Sequence, residues 1–287
     1  MAKWTVADLP DQSTRTVIVT GANSGVGLAT TQALAAAGAR VILACRNVDK
    51  GKAAAALMAD TVEVRALDLA SLASVREFAA SIDEPVDVLV NNAGVMAVPY
   101  RKTVDGFELQ IGTNHLGHFA LTGLLLDRVR SRVVTVSSSF HWFGRVDVAD
   151  LNWERRHYRR WAAYEQSKLA NLLFAYELAR KLEGSPIRSL ATHPGYVSTN
   201  LMSHTETMLD TVMALGNRVL AQSPAMGALP TLYAVTTDMP NGSFVGPGRL
   251  MWGHPGVTRS SPASHDREKA TALWSLSEEL TGVTFSF

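Results

Sequence analysis

Tyr164 and Lys168 lie four residues apart and together have the chemistry to move a proton. On a helix this spacing places both side chains on one face, one turn apart. An ammonium group near a phenol favours the phenolate and lowers its pKa, which suits a Tyr to proton transfer near neutral pH. The pair predicts a general acid/base site, although a Tyr and a Lys at this spacing are also common on ordinary amphipathic helices.

A glycine-rich turn far upstream is suited to hold a dinucleotide. It runs Thr20-Gly-Ala-Asn-Ser-Gly-Val-Gly27 and joins an apolar run to an Ala-rich helical pattern. Small residues let the backbone approach a pyrophosphate, which the N–H groups and dipole of the following helix stabilise. Alone, this spacing is weak evidence, because a tight strand-to-helix turn also needs glycine. With the Tyr and Lys pair it predicts transfer of a hydride and a proton.

The elements that must position these residues alternate between short apolar runs and longer helical patterns. This alternation is typical of βαβ units around a parallel sheet that is covered on both faces. We therefore predict one α/β domain over residues 1–287, with a doubly wound, Rossmann-like sheet and ligands at the carboxyl ends of its strands. The predicted strands are 16–20, 41–44, 62–67, 86–90, 132–136 and 187–191, and the predicted helices are 25–37, 50–58, 72–81, 105–127 and 161–182.

The last third of the chain has a looser pattern. Residues 199–227 form an apolar, Met-rich helical pattern. We interpret it as a lid over an apolar substrate, with a core or subunit contact and an interfacial membrane helix as alternatives. Residues 240–263 are rich in Gly, Pro and Ser and predict loops. Residues 266–279 predict a final helix that ends before Gly282.

Composition excludes several classes of function. The net charge of +1 gives no reason to expect a nucleic acid or a charged membrane as partner. The one cysteine, Cys45, cannot form an internal disulfide. We see neither a signal peptide nor an apolar run that approaches the ~18 residues of a membrane span, so we expect a cytoplasmic protein. No histidines are spaced with Cys or acidic residues as ligands, so we expect no metal.

Taken in order, the motifs resemble those of the short-chain dehydrogenase/reductase family. Besides the glycine turn and Tyr-x-x-x-Lys, the chain has Asp68-Leu69 after the third predicted strand and Asn91-Asn-Ala-Gly94 after the fourth. The resemblance extends over residues 16–199, about two-thirds of the chain. It implies a nicotinamide cofactor at the carboxyl ends of the strands.

The resemblance also implies how the cofactor would be held. The glycine turn would bind the diphosphate, Asp68 the adenine, and the Asn-Ala-Gly segment the adenosine ribose. The segment His193-Pro-Gly-Tyr-Val-Ser-Thr199 resembles the family's P-G-x-V-x-T sequence, which would hold the nicotinamide, with Thr199 on its carboxamide. The predicted cofactor-binding residues are Gly21, Asn23, Ser24, Gly25, Val26, Gly27, Arg46, Asp68, Leu69, Asn92, Ala93, Gly94, Tyr164, Lys168, Pro194, Gly195, Val197 and Thr199.

The end of the second predicted strand bears on the choice between NADP(H) and NAD(H). NAD enzymes place an acidic residue there, whereas NADP enzymes place an Arg nearby for the 2′-phosphate. Here Cys45 occupies the acidic position and Arg46 follows it. The planar donors of Arg suit a phosphate, so we predict NADP(H). Use of both cofactors stays open because only one cation is clear, and Arg46 as an ordinary surface residue is the alternative.

The resemblance implies a catalytic set of Asn114, Ser138, Tyr164 and Lys168. Tyr164 would be the general acid/base, and Lys168 would lower its pKa and bind the nicotinamide ribose. A Ser after the fifth strand would bind the substrate oxygen; alignment favours Ser138, and its neighbours on either side are alternatives. Asn114 would hold a helix kink and a water that links Lys168 to solvent, and Asn is otherwise a poor residue for a helix interior.

Residues 140–163 make the interval between this Ser and Tyr164 longer than in many family members, and they are rich in aromatic side chains. With Asn114-His-Leu-Gly-His-Phe119 and Ser167-Lys-Leu-Ala-Asn171, they resemble the retinol dehydrogenase-like branch. The resemblance implies an oxidoreductase whose substrate is a small lipophilic alcohol, aldehyde or ketone. It also implies a homodimer or homotetramer that pairs the helices carrying Asn114 and Tyr164.

Two other functions are alternatives. One is a catalytically silent NADP(H)-binding sensor or scaffold, which would need only the cofactor turn and not the complete Asn, Ser, Tyr and Lys set. The other is a reductase of carbon–carbon double bonds, a branch that usually has a wider spacing between Tyr and Lys than the four residues here.

Overall fold

The computed structural model describes residues 3–197, 222–249 and 251–287. Within these residues a central sheet contains the strands β1 (Thr16–Thr20), β2 (Arg40–Cys45), β3 (Val62–Ala66), β4 (Val86–Asn91), β5 (Val129–Val136), β6 (Arg188–Thr192), β7 (Phe244–Arg249) and β8 (Trp252–Val257). Their order is β3-β2-β1-β4-β5-β6-β7-β8. Neighbouring strands are parallel except for β7 and β8, which are antiparallel.

Helices cover both faces of the sheet, as the sequence predicts. The described α-helices are α1 (Gly25–Ala36), α2 (Val48–Ala55), α3 (Leu72–Ala80), α4 (Leu109–Ile111), α5 (Gly117–Leu125), α6 (Arg160–Lys181), α7 (Pro224–Thr236) and α8 (Arg267–Thr281). Successive strand residues supply two cores: Ile18 packs with Phe119 and Phe174, whereas Val17 packs with Leu34 and Leu232. None of the described helices is long and apolar enough to cross a membrane.

The topology creates one crevice at the carboxyl ends of the strands. From β1 the chain continues to β2 and β3 on one side, and β4 then returns to pair with the other side of β1. The loops after β1 and β4 therefore leave the sheet at the point where the strand order reverses, which is where open α/β sheets bind ligands. The glycine turn follows β1 at this point, and Asn92 to Gly94 follow β4.

Residues 240–263, predicted as loops, contain the strands β7 and β8, so that prediction is wrong. Phe244 and Val245 are buried and pair with β6. The Gly and Pro residues in these strands are tolerated because β8 is at the edge of the sheet, and because β7 pairs with β6 only through Phe244 and Val245, ahead of its own Gly and Pro residues. The proposed lid, 199–227, lies largely outside the described residues; its end, from Pro224, is the first turn of α7.

The helix predicted over residues 105–127 is shorter and is not regular. It begins at Leu109, where the buried Glu108 carboxylate accepts hydrogen bonds from the N–H groups of Gln110 and Ile111 at 2.9 Å. Residues Gly112–Leu116 form a π-helical turn before α5 starts. A wider turn of this kind re-aims the side chains on it and often marks a functional site.

The final helix lies close to its prediction. Asp266 caps α8 by accepting from the Lys269 N–H, and Gly282 ends the helix with a left-handed φ of 61°. Trp274 of α8 packs on Phe119 of α5 and Phe174 of α6, with ring centroids 5.1 Å and 5.7 Å away. Because α8 covers this face of α5 and α6, pairing of these helices with a second copy would need another surface. The oligomeric state stays a prediction, as does the cytoplasmic location.

Candidate active site

The cofactor turn is shaped by contacts that leave no room for side chains. Gly21 has a left-handed φ of +65°, and a Cβ on it would lie 2.9 Å from the Cα of Ala93. A Cβ on Gly27 would lie 2.4 Å from Nδ2 of Asn92 and 2.7 Å from the Gly21 carbonyl oxygen. Asn92 in turn donates from Nδ2 to the Thr20 carbonyl at 2.7 Å. The turn and the loop after β4 therefore fit together only because both glycines lack a side chain.

The first turn of α1 has the features of an anion site. The exposed Ser24 is the N-cap residue, yet its side chain accepts no capping hydrogen bond. The N–H groups at this helix end are therefore left for a ligand, and Gly25, with a φ of 56°, lets the backbone turn there. Asn23 is half-buried beside this turn, and Val26 packs into the core.

The end of β2 presents one cation to the crevice. Cys45 is buried, and its thiol donates to the Asn47 carbonyl at 3.2 Å, so it points away from solvent. Arg46 is exposed and no hydrogen bond or ion pair occupies it within the described residues. Asn47 caps α2 by accepting from the Lys50 N–H at 2.9 Å. The only side chain of these three that is free to reach a ribose substituent is that of Arg46.

Asp68 and Leu69 are held in place by their own backbone contacts. The Asp68 carboxylate accepts from the Ala70 N–H at 3.0 Å, and the Asp68 N–H donates to Ser74 at 3.0 Å. Leu69 is buried, and its carbonyl oxygen would lie 2.4 Å from a Cβ on Gly117, the first residue of α5. The half-buried Asp68 carboxylate keeps oxygen lone pairs for a polar ligand group.

The segment after β6 closes the far side of the crevice. Gly195 has a φ of +75°, and a Cβ there would lie 2.4 Å from the Met251 carbonyl oxygen. The half-buried Pro194 precedes it, and Val197 lies against Gly227 of α7, where a Cβ would meet Val197 at 2.4 Å. Val197 therefore connects this segment to the helix layer of α1 and α7. Thr199 lies outside the described residues.

Tyr164 lies on α6 with its phenol against Ser138. Burial raises the pKa of Tyr164 to about 12, and the hydrogen bond with the Ser138 hydroxyl opposes that increase without cancelling it. Burial, which disfavours the phenolate, and the Ser138 contact set this pKa, and the lowering by Lys168 stays a prediction. At neutral pH the phenol is protonated, which is the form that donates a proton.

Lys168 is buried one turn beyond Tyr164, so its ammonium group is held away from bulk water. It donates to the Val136 carbonyl at the end of β5, 3.2 Å away, and lies 5.8 Å from the Tyr164 ring centroid. A Cβ on Gly94 would approach Nζ to 3.4 Å, so Gly94 leaves space beside the ammonium group. Burial lowers the pKa of Lys168 to about 8, and the group remains largely charged at neutral pH.

Asn114 lies within the π-helical turn and joins it to the loop after β4. Its Oδ1 accepts from the Val95 N–H at 2.8 Å, and its Nδ2 donates to the Val95 carbonyl at 2.9 Å. The same Nδ2 contacts Ser167 Oγ at 2.9 Å, directly before Lys168. The π-helical turn lies where a kink at Asn114 is predicted, and the Asn114 side chain fastens this turn to Val95 and Ser167.

Aromatic side chains from residues 140–163 form a wall beside Tyr164. Phe140 stacks on Trp161 with centroids 5.5 Å apart and lies 6.0 Å from the Tyr164 ring. Trp161 meets the same ring edge-on at 6.5 Å. The segment is anchored by Tyr158, whose hydroxyl contacts both the Val98 carbonyl and the Glu108 carboxylate at 3.0 Å. The surroundings of the Tyr164 ring are thus predominantly apolar.

The chain is similar to known proteins over most of its length. The family model described as short chain dehydrogenase matches residues 15–210. The chain belongs to the short-chain dehydrogenase/reductase family. It is 45% identical over 288 residues to retinol dehydrogenase 13 of Homo sapiens, covering 94% of this chain and 85% of that protein. The resemblance to the retinol dehydrogenase-like branch is confirmed.

Solved structures agree with this membership. A structure of an uncharacterized protein from Mycobacterium paratuberculosis superposes with a TM-score of 0.88 at 53% identity and covers 100% of both chains. A second, from Beutenbergia cavernae, is described as an NAD(P)-dependent gluconate 5-dehydrogenase with bound NADP at low occupancy. It gives a TM-score of 0.65 at 26% identity, with 83% of this chain and 96% of that chain covered. The chain is accordingly an NAD(P)(H)-dependent oxidoreductase.

The sequence of this short-chain dehydrogenase/reductase leaves the choice of serine open and does not indicate some of the positioning residues. Ser137 is buried and its hydroxyl donates to the Lys168 carbonyl at 2.8 Å, so it supports α6 rather than facing the Tyr164 phenol as Ser138 does. Thr20 and His118 were not singled out as site residues, although they are hydrogen-bonded between the cofactor turn and the π-helical turn. Their only signal is a position within the recognised motifs.

Buried histidines of this enzyme predict loss of stability in mild acid. Burial lowers the pKa values of His115, His118 and His193 from 6.5 to about 3, 4 and 4. As the pH falls below 6.5, the unfolded chain takes up protons that the folded chain does not. The free energy of unfolding should therefore fall with pH between 6.5 and about 4, by on the order of 3 kcal/mol for each such group.

Urea unfolding at a series of pH values measures this loss. His193→Gln should make the slope shallower by about 1.4 kcal/mol per pH unit between pH ~6 and ~5, because one titrating group is gone. His157→Gln, which replaces an exposed histidine, is the matched control. Equal slopes for all three proteins would show that His193 is not a buried neutral group.

Proposed function

We propose that this chain is an NADP(H)-dependent oxidoreductase that interconverts a carbonyl and an alcohol on a lipophilic substrate. The observation that supports this most is the contact of the Ser138 hydroxyl with the Tyr164 phenol, with the Lys168 ammonium buried one turn away. Ser138 follows β5. The Lys168 ammonium group lies at the carboxyl end of β5 and beside Gly94, in the loop after β4 that packs on the glycine turn. A proton-transfer group and a dinucleotide turn thus share one crevice.

The residues present fit NADP(H). Gly21 and Gly27 let the backbone of the turn approach the cofactor, because neither has a Cβ to fill the space. The uncapped first turn of α1 suits a diphosphate. Arg46 would pair with the 2′-phosphate, Asp68 with the adenine, and Asn92 to Gly94 would line the adenosine ribose. Pro194, Gly195, Val197 and Thr199 would border the nicotinamide. When bound, NADP(H) supplies or accepts the hydride and, when oxidised, adds a positive charge.

In the direction of reduction, Ser138 and Tyr164 would together hold the substrate oxygen. Tyr164 is protonated at neutral pH and donates its proton to that oxygen as negative charge develops there. Lys168 would hold the nicotinamide ribose hydroxyls and stabilise the phenolate left behind. Asn114 would fix the path by which the proton is replaced from solvent, since its side chain joins Val95 to Ser167.

The aromatic wall supports a lipophilic substrate. Phe140 and Trp161 present ring faces and edges next to Tyr164. An apolar chain or ring of the substrate would be buried from water against them. The relative named retinol dehydrogenase 13 is consistent with this substrate class. The reacting group would be an aldehyde or ketone in one direction and an alcohol in the other.

Purified protein with NADPH and a panel of aldehydes and ketones tests the proposal. We expect kcat/KM to rise with apolar size and to exceed that of small polar carbonyls by about 10-fold or more, as burial of a few CH₂ groups provides. Higher values for small polar substrates would contradict the lipophilic site. Tight binding of NADPH with no oxidation of it by any carbonyl would favour the silent sensor instead.

Arg46→Ala should separate the two cofactors. Loss of a charge-assisted contact to the 2′-phosphate should raise KM for NADPH about 10- to 100-fold and leave KM for NADH unchanged. Lys52→Ala, which removes an exposed cation from α2, is the matched control and should change neither value. An equal effect of Arg46→Ala on both cofactors would show that Arg46 does not read the phosphate.

A further inference from the structure

We infer that His118 is a positioning residue that couples the cofactor turn to the Asn114 segment. The inference rests on the proposed function, since it assigns a role at the same site. His118 lies on α5 and is 1% exposed. Its two ring nitrogens contact two different parts of the site.

The hydrogen bonds of His118 fix its tautomer. Nδ1 lies 3.0 Å from the Asn114 carbonyl oxygen, which can only accept, so Nδ1 carries the proton. Burial lowers the pKa of His118 to about 4, so the ring is neutral and Nε2 is an acceptor at neutral pH. Nε2 lies 2.9 Å from Thr20 Oγ1, so the Thr20 hydroxyl is the donor in that bond.

Thr20 is also hydrogen-bonded to the loop after β4. Its Oγ1 accepts from the N–H groups of Asn92 and Ala93, each at 2.9 Å. A hydroxyl has one hydrogen and two lone pairs, so these two N–H groups use both lone pairs. Two acceptors lie near the hydrogen, and His118 Nε2 at 2.9 Å is closer than the Val90 carbonyl at 3.4 Å. Because the proton of Thr20 is directed to His118, its lone pairs are aimed at the two N–H groups.

These hydrogen bonds join three segments: the cofactor turn, the loop after β4 and the Asn114 segment. The proposed reaction depends on the positions of these segments relative to one another. Thr20 directly precedes Gly21 of the cofactor turn, and Asn92 and Ala93 line that turn. Asn114 supplies the carbonyl to His118 and, through its side chain, holds Val95 beside Lys168. A rotation of the His118 ring would break its hydrogen bonds to both the cofactor turn and the π-helical turn. In a buried network, groups left without a hydrogen-bond partner cost free energy.

His115 offers a matched comparison. It is also a 1% exposed histidine of the π-helical region with a strongly lowered pKa. Its Nε2, however, contacts Ser277 of α8 at 3.0 Å rather than Thr20, and its ring also interacts with Asn171 of α6. A loss of packing or of a buried histidine is common to both positions, whereas the link to Thr20 belongs to His118 alone.

The experiment measures NADPH affinity, by quenching of tryptophan fluorescence, together with the free energy of unfolding. His118→Leu should weaken NADPH binding about 10-fold or more, and His118→Gln, whose amide oxygen can accept from Thr20, should recover most of that loss. His115→Leu should lower stability and bind NADPH as the wild type does. Thr20→Val should weaken binding as His118→Leu does, and the double variant should be less than additive.

Thr20→Val also decides the matter if His118→Leu does not fold. The inference is overturned if Thr20→Val binds NADPH as tightly as the wild type does. It is also overturned if His115→Leu loses as much NADPH affinity as His118→Leu, or if His118→Gln recovers none of the affinity that His118→Leu loses. If the wild type binds NADPH with this dependence on His118 but reduces no carbonyl, the proposed function fails and the positioning role stands. If the wild type does not bind NADPH, both fail.

Discussion

Tyr164→Phe should lower kcat for carbonyl reduction about 1,000-fold, within the range expected for loss of a positioned general acid. The ring is retained, so its contacts with Phe140 and Trp161 and the apolar character of the site persist. Only the hydroxyl that contacts Ser138 is lost. NADPH affinity and the free energy of unfolding should therefore change little, and steady-state kinetics with fluorescence titration would measure both parts of this expectation.

Tyr176→Phe is the control for that result. It removes a phenol hydroxyl from the same helix, α6, where the partner is Ser260 at 2.8 Å rather than a residue of the crevice. We expect wild-type kcat for this variant. If Tyr164→Phe keeps wild-type kcat, or if Tyr176→Phe loses as much, then the Tyr164 hydroxyl is not the proton donor.

Gly27→Ala should abolish NADP(H) binding at ordinary concentrations, with a loss of affinity of about 100-fold or more. The added methyl would lie 2.4 Å from Asn92 Nδ2 and 2.7 Å from the Gly21 carbonyl oxygen. The second atom belongs to the backbone, so the turn itself must shift, and overpacking of this kind costs about 1–3 kcal/mol. The shift moves the groups that would hold the diphosphate, which adds to the loss.

Gly256→Ala tests whether this effect is specific to the turn. A Cβ on Gly256 in β8 meets no atom within 4 Å, and we expect wild-type affinity and stability. Calorimetric titration of NADPH into both variants measures the difference. Tight NADPH binding by a folded Gly27→Ala protein would show that the cofactor does not use this turn.

The predictable parts of this fold and site are those encoded by local sequence. The buried runs of β1, β2 and β4 are continuous and apolar, the glycine turn has a fixed spacing, and Tyr164 and Lys168 need only a helix to share a face. The strands β7 and β8 were missed because Gly and Pro interrupt them, and their pairing with β6 depends on the rest of the sheet.

Other features depend on contacts between distant segments. The π-helical turn at Asn114 is held by Val95 and Ser167, and no local pattern indicates that. The high pKa of Tyr164 arises from burial that only the folded chain creates. In the same way, His118 resembles any other core histidine until Thr20 is seen at its ring nitrogen.

Transfer of deuterium to a lipophilic aldehyde from NADPH that carries deuterium at both positions of nicotinamide C4 is the most direct test of the central claim. Mass spectrometry of the product should find one deuterium on the carbinol carbon of the alcohol, in an amount equal to the NADP⁺ formed. Oxidation of NADPH with no deuterium in the product, or binding of NADPH with no alcohol formed, would contradict hydride transfer at this site.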